Sequence, residues 1–283
     1  MFQNLRGIPR HHYVLLLALL LSSPLQAVIS AQSDEVMHIV EKVIERQEDF
    51  YLKMDNWRAI VTTTTTKMDK HWQAEEVMVV KKKIQVVNME KDEVILEAIK
   101  TKNGISQDMT EEYIEKSKKQ QEESKKKEYE QNLERRKEKK ENKTELKADD
   151  LLPFSDKKKM KYIFSQLEDS EIDGRPVYVI QALAKVKRDN RFSGRYYISQ
   201  DTYDILRIHI WPSKNPRFVK ELDITIDVDV NPRGYYAIKR SKIRVNGGFL
   251  FIKRVRMITE EEYSDYTDLS DVDKIGENPE VRY

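Results

Sequence analysis

Apolar residues first recur along this chain at helical spacing. Between Asp34 and Met54, Val36, Ile39, Val40, Val43, Ile44, Gln47 and Phe50–Tyr51 fall on one stripe. Glu41, Lys42, Glu45, Arg46 and Glu48 stand between them. The spacing predicts one amphipathic helix, with Ser33 or Asp34 placed to cap its first turn. After it the period changes to two. Trp57 to Lys67 holds five consecutive threonines, Thr62 to Thr66, flanked by Ile60 and Val61, and β-branched residues suit a pleated strand. Glu75 to Asn88 and Val94 to Thr101 predict two more strands, joined by Glu90–Lys91–Asp92 and closed by the turn pair Asn103–Gly104.

Residues 105–150 break the alternation. Glu, Lys, Gln and Arg dominate, and Glu and Lys stand three or four apart, which supports an exposed helix through many weak pairs. Such a segment cannot bury a face for most of its length, so it reads as a solvated helix or partly disordered arm inserted between two halves of a sheet. It serves either as a docking arm for a protein partner or as an exposed linker.

From Pro153 the alternation returns. Strands are expected over Lys161–Glu168, Pro176–Lys187, Arg195–Ser199 and Ile205–Trp211, with turns at Asp173–Gly174 and Asp201–Thr202. Glu221 to Val230 alternates almost without fault, Leu222, Ile224, Ile226, Val228 and Val230 on one side and Glu221, Asp223, Thr225, Asp227 and Asp229 on the other. Asn231–Pro232–Arg233–Gly234 turns the chain into Tyr235–Val245. With Val230 opposite Tyr235, Asp223 would face Lys242 and Glu221 would face Arg244, pairs of opposite charge. Asn246–Gly247–Gly248 is the next expected turn, before Phe249–Ile258. The expected fold is mainly β (α+β): a strongly curved antiparallel sheet forming an open half-barrel around the N-terminal helix, with the charged helical arm inserted.

The first residues set the expected compartment. Arg6, Arg10, His11 and His12 precede an apolar run from Val14 to Leu21, broken by Ser22, Ser23 and Pro24, with small residues at Ala27 and Ala31. That order of parts is a cleavable secretory signal over residues 1–31, and the run is far short of the roughly 20 residues a membrane-spanning helix needs. A periplasmic protein is expected, its folded domain spanning 32–266 and an acidic tail 267–283. There are no cysteines, hence no disulfides and no lipid-anchor thiol. The net charge of +2 is carried by signal arginines, which argues against a nucleic-acid partner.

Candidate chemistry is sparse. His38, His71 and His209 share no ligand spacing, and no Cys or H-E-x-x-H is present. Asp223, Asp227 and Asp229 share a strand face, but calcium sites gather oxygens from a tight loop. No catalytic residues, no metal and no cofactor are expected, and the protein is read as a non-enzyme. Apolar surface remains. A half-barrel's mouth is an ordinary ligand site, and its candidate lining is Trp57, Ile60, Tyr178, Ile180, Tyr197, Ile208, Ile210, Ile224, Ile226, Val228, Phe249 and Phe251.

The signal, the helix ending at Phe50–Tyr51, the strand start Trp57–Arg58 and the stretch Asp173–Gly174–Arg175–Pro176–Val177–Tyr178–Val179–Ile180 resemble the outer-membrane lipoprotein-sorting proteins, with their LolA/LolB-like fold. Gly194–Arg195–Tyr196–Tyr197–Ile198–Ser199, then Ile205–Leu206–Arg207, and the closing Tyr263–Ser264–Asp265–Tyr266 are similar to the same family. The resemblance covers residues 35–266 apart from the charged arm, which ordinary carriers lack. It implies a soluble periplasmic carrier that binds lipid or lipoprotein acyl chains without chemistry. The alternative is a non-enzymatic envelope interaction or signalling module, with a filled core and an inner- or outer-membrane protein as partner.

Overall fold

The computed structural model describes residues 33–48, 56–87, 90–120, 122–123, 151–188, 191–230, 236–249 and 253–269. The expected signal, the end of the predicted helix, the Asn231–Gly234 turn, most of the 105–150 arm and the chain beyond 269 lie outside the described residues.

Helix α1 spans Asp34–Glu48. Ser33 caps it, its hydroxyl accepting the Val36 N–H at 3.3 Å and its carbonyl accepting the Met37 N–H at 3.1 Å. The strands are β1 (Trp57–Met68), β2 (Ala74–Val87), β3 (Glu90–Lys102), β4 (Ile105–Asp108), β5 (Tyr162–Gln166), β6 (Ser170–Ile172), β7 (Arg175–Ala184), β8 (Phe192–Ser199), β9 (Ile205–Pro212), β10 (Val219–Val230), β11 (Tyr236–Phe249) and β12 (Lys253–Asp268). They form one antiparallel 12-stranded sheet in the order β4-β3-β2-β1-β12-β11-β10-β9-β8-β7-β5, with β6 paired to β7 off that path. The first strand pairs the last, β1 against β12, so the two halves of the sequence join mid-sheet. The sheet does not close, and α1 lies on its inner face: the open, mainly β architecture expected from the pattern.

Two predicted turns have the backbone their residues favour. Asn103 and Gly104 between β3 and β4, and Asp173 and Gly174 between β6 and β7, all have positive φ, as two-residue hairpin turns of matching twist require. Three expectations are corrected. The start of the charged arm is not helical: residues 105–108 form the edge strand β4, and the described helix runs over 110–120. Asn246–Gly247–Gly248 is no turn. It lies inside β11, paired through Gly247 with Val255 and Gly248 with Arg254, and the loop before β10 crosses close to it, leaving little room for a side chain. A Cβ on Gly247 would sit 3.1 Å from the Phe218 carbonyl, which accepts the Gly248 N–H at 2.9 Å.

The third correction is register. Val230 pairs with Tyr236, and an irregularity at Asp227/Val228 adds a second shift, so Asp223 faces Arg244 and Thr225 faces Lys242. Glu221 still meets Arg244, diagonally, with Oε1 3.3 Å from Nε, too poorly aligned for a hydrogen bond. Lys242 pairs instead with Glu260 of β12 at 2.9 Å. The acidic stretch from Glu260 is therefore strand as far as Asp268, drawn into the sheet by basic residues on β11 and threonines on β1.

Candidate ligand-binding face

Strand pairing defines the inner face without ambiguity. One row of directly opposed residues runs Ile180–Tyr196–Ile208–Ile226–Ser241–Glu261–Thr63–Val80–Ala98, from β7 across to β3. The adjacent inner row runs Ala182–Gly194–Ile210–Ile224–Ile243–Thr259–Thr65–Met78–Lys100. Both rows are apolar at the β7–β10 end, polar at β12 and β1, and apolar again where they reach β2; on β11 the first row has Ser241 and the second Ile243.

The β7–β10 end is covered by α1. Val36, Ile39, Val40, Val43 and Ile44 are buried there against Phe154, Phe164, Ile180, Tyr196, Ile198, Ile208 and Ile210. Each fully buried aliphatic side chain contributes about 2 kcal/mol. Phe154 meets Tyr196 edge-on at 4.8 Å, and the buried Tyr196 hydroxyl donates to the Leu151 carbonyl at 2.9 Å. Burial pushes the Tyr196 phenol well above its ordinary range. Two ion pairs hold the helix in place: Arg46 Nε to the buried Asp204 at 2.7 Å, and Glu41 to Lys159 at 2.6 Å. Asp204 also accepts the Thr202 hydroxyl at 2.6 Å.

The β12–β3 end has its own apolar strip. Ala59, Val61, Val80, Ile84 and Ala98 are buried and lie outside the core cluster under α1. Alternation puts Trp57 on the same face as Ala59 and Val61. Trp57 packs on Tyr266 (centroids 5.7 Å apart), which stacks on Tyr263 at 6.3 Å. Glu93 reaches this face too, joined by Lys82 at 3.5 Å and by Lys91. Burial opposes ionisation of Glu93, but Lys91 and Lys82 outweigh it and hold the carboxyl below its usual range.

The candidate lining divides accordingly. Tyr178, Ile180, Ile208 and Ile210 face α1 or its margin, with Ile180 and Ile210 fully enclosed. Ile224 and Ile226 are half-buried at the edge of that core, and Val228 follows them on the same side of β10. Ile60 and Tyr197 point the other way. Tyr197 belongs to a small outer cluster with Val177, Val179 and Leu206, under Ile172 of β6. Ile60 sits between Lys83 and Ser264 on the outer side. The Phe249 side chain and Phe251 lie outside the described residues.

The polar candidates are accounted for by neighbours. Asp223 bonds His209 at 2.7 Å, Asp227 bonds Arg207, and Asp229 lies 3.7 Å from Arg175. Their partners sit on β9 and β7, not on β11 where charge pattern alone had suggested them. His38 is exposed. Lys81, Lys82 and Lys83 do not form a basic patch, because alternation sends Lys82 inward to Glu93 and the other two outward. Among the described residues no three His, Asp or Glu side chains converge as metal ligands. No described helix is long and apolar enough to cross a membrane. Sequence reading missed Glu261, Tyr263, Thr63 and Ser241 at the centre of the inner face, because an acidic run and a threonine run hide which members point inward.

No family model and no curated protein matches the sequence. Among solved structures, the chain is similar to a LolA superfamily protein from Nitrosomonas europaea (14% identity over 84% of this chain and 96% of that one, TM-score 0.33). It is similar to an outer membrane lipoprotein-sorting protein domain from Vibrio parahaemolyticus (13%, 84% and 97%, TM-score 0.34). A third is the Pseudomonas aeruginosa MucA/MucB complex (6%, 83% and 99%, TM-score 0.24). Likeness at this level assigns no function.

Proposed function

We propose that this protein is a soluble periplasmic carrier that holds lipid or lipoprotein acyl chains on the inner face of its sheet. The observation that carries this reading is the width of that face. Helix α1 fills its β7–β10 end and leaves Ile224 and Ile226 half-buried at its margin; the apolar strip resumes on β1–β3, where Val61, Val80 and Ile84 are buried and Trp57 is half-buried. An acyl chain laid along the margin of α1 would cover the half-buried side chains of Ile224, Ile226, Val228 and Trp57. Of the residues named from sequence, Ile224, Ile226, Val228 and Trp57 are the ones that would touch it. Ile180 and Ile210 hold the helix.

One observation favours the second reading, an envelope interaction module: the core under α1 is packed with almost no exposed surface. The arm after β4 would then be the docking element. It leaves the sheet in a fixed way, the Met109 N–H bonding the Ala98 carbonyl at 2.8 Å and Thr110 Oγ1 accepting the Ala98 N–H at 3.0 Å.

The two readings separate on uptake of an acyl probe whose fluorescence rises in apolar surroundings. A carrier takes up the probe at about one per chain, and Thr65→Trp, which fills the inner face, abolishes uptake. A wild-type protein that takes up none, but loses a membrane-protein partner when residues 110–150 are deleted, is the interaction module.

A further inference from the structure

Three consecutive acids on β12 meet different fates. Glu260 and Glu262 face outward and pair with cations, Lys242 at 2.9 Å and Arg240 at 3.1 Å. Glu261 faces inward, between Thr63 of β1 and Ser241 of β11. The hydrogen bonds it accepts come from neutral hydroxyls: Thr63 at 3.3 Å on Oε1, with Ser241 at 3.3 Å and Tyr263 at 3.0 Å on Oε2. It is half-buried. The other inner-face carboxylate nearby, Glu93, already has Lys82 and Lys91.

Hydroxyl donors hold a carboxylate in place without cancelling its charge. The Tyr263 phenol is raised by burial and then by the charge of Glu261, with a further contribution from Glu93. The notch thus presents a carboxylate met by hydroxyls rather than by a cation. The notch lies midway along the inner row, between Ile226 at the margin of the helix-covered core and Val80 of the second apolar strip. A carboxylate beside the half-buried apolar margin of β10 suits one class of occupant, an amphiphile with a cationic head. A primary ammonium brings three donors, which suits the two oxygens of a carboxylate.

We propose that Glu261 selects the ligand's headgroup: the inner face prefers a lipid whose head bears a primary amine, with the ammonium on Glu261 and the chain on the apolar strips. Thr63, Ser241 and Tyr263 act as positioning residues for the carboxylate. This rests on the carrier reading above.

The test compares two lysophospholipids of identical acyl chain, one with an ethanolamine head and one with a glycerol head, binding to the mature protein. The wild type is expected to prefer the ethanolamine lipid by roughly tenfold, the worth of one charge-assisted hydrogen bond. Glu261→Gln, which keeps the shape, should erase that preference, weakening the ethanolamine lipid and relieving the repulsion of the anionic glycerol lipid. Equal binding of both heads by the wild type, or a preference that survives in Glu261→Gln, overturns the inference and leaves the carrier reading standing. Binding of neither lipid overturns both. Unchanged melting of Glu261→Gln separates loss of selectivity from loss of fold.

Discussion

At Gly194 the β8 backbone passes so close to β9 that a Cβ would lie 2.5 Å from Ile210 Cγ2 and 2.7 Å from the His209 carbonyl. Gly194→Ala must push β9 aside in a packed region, which costs about 1–3 kcal/mol and is expected to lower the melting temperature by several degrees. An unchanged melting curve would contradict the close packing described. Asp204 is a similar single-residue determinant. Asp204→Asn keeps the size but removes the charge facing Arg46, and an expected loss of about 1–3 kcal/mol is read by urea unfolding. Neither effect was legible in the sequence. Gly194 stands there just before an expected strand and Asp204 just after an expected turn, and the demand on each comes from a strand or helix that local pattern does not show.

The long elements were largely legible, since their strands carry their own period and the turns at Asn103–Gly104 and Asp173–Gly174 supply residues that tolerate positive φ. Register was less so. The alternation of Leu222 to Val230 says which side chains share a face but does not show the irregularity at Asp227/Val228, which moves Lys242 away from Asp223. The Asn246–Gly247–Gly248 turn failed for a related reason. Glycine there answers to the crossing loop at Phe218, a tertiary contact that local pattern does not encode. At this scale α1 decides whether the inner face is made. Ile39 is 3% exposed among sheet side chains, so Ile39→Ala is expected to cost about 2–4 kcal/mol. Amide exchange should then rise in α1 and in β7–β9 together, where the core cluster joins them, while β1–β3 remain protected. Uniform acceleration over the whole sheet would show that the two ends of the face are not separate packing units.

The molecule as a whole is an open sheet whose inner face changes character along one row of side chains. Its tyrosines register this. Tyr178, Tyr196, Tyr263 and Tyr266 are all raised above the ordinary phenol value of 10.0, burial being the largest cause in each. The folded form thus keeps protons that the unfolded chain gives up. Stability from these groups should be complete below about pH 10 and decline as pH rises further. Tyr263→Phe is expected to make that alkaline decline less steep in chemical denaturation, and an unaltered slope would mean that Tyr263 is solvated. Fold class was readable at this scale because consecutive hairpins determine most neighbours. The β1–β12 pairing, and with it the Glu261 notch, joins residues some 200 positions apart in the chain, and no local pattern announces it.

The central claim, that the inner face carries an apolar chain, is tested most directly by native mass spectrometry of the mature protein purified from the periplasm, with extraction of whatever accompanies it. The account predicts about one lipid or acylated peptide per chain, absent from Thr65→Trp. A clean protein mass for the wild type, with nothing acylated in the extract, would contradict it.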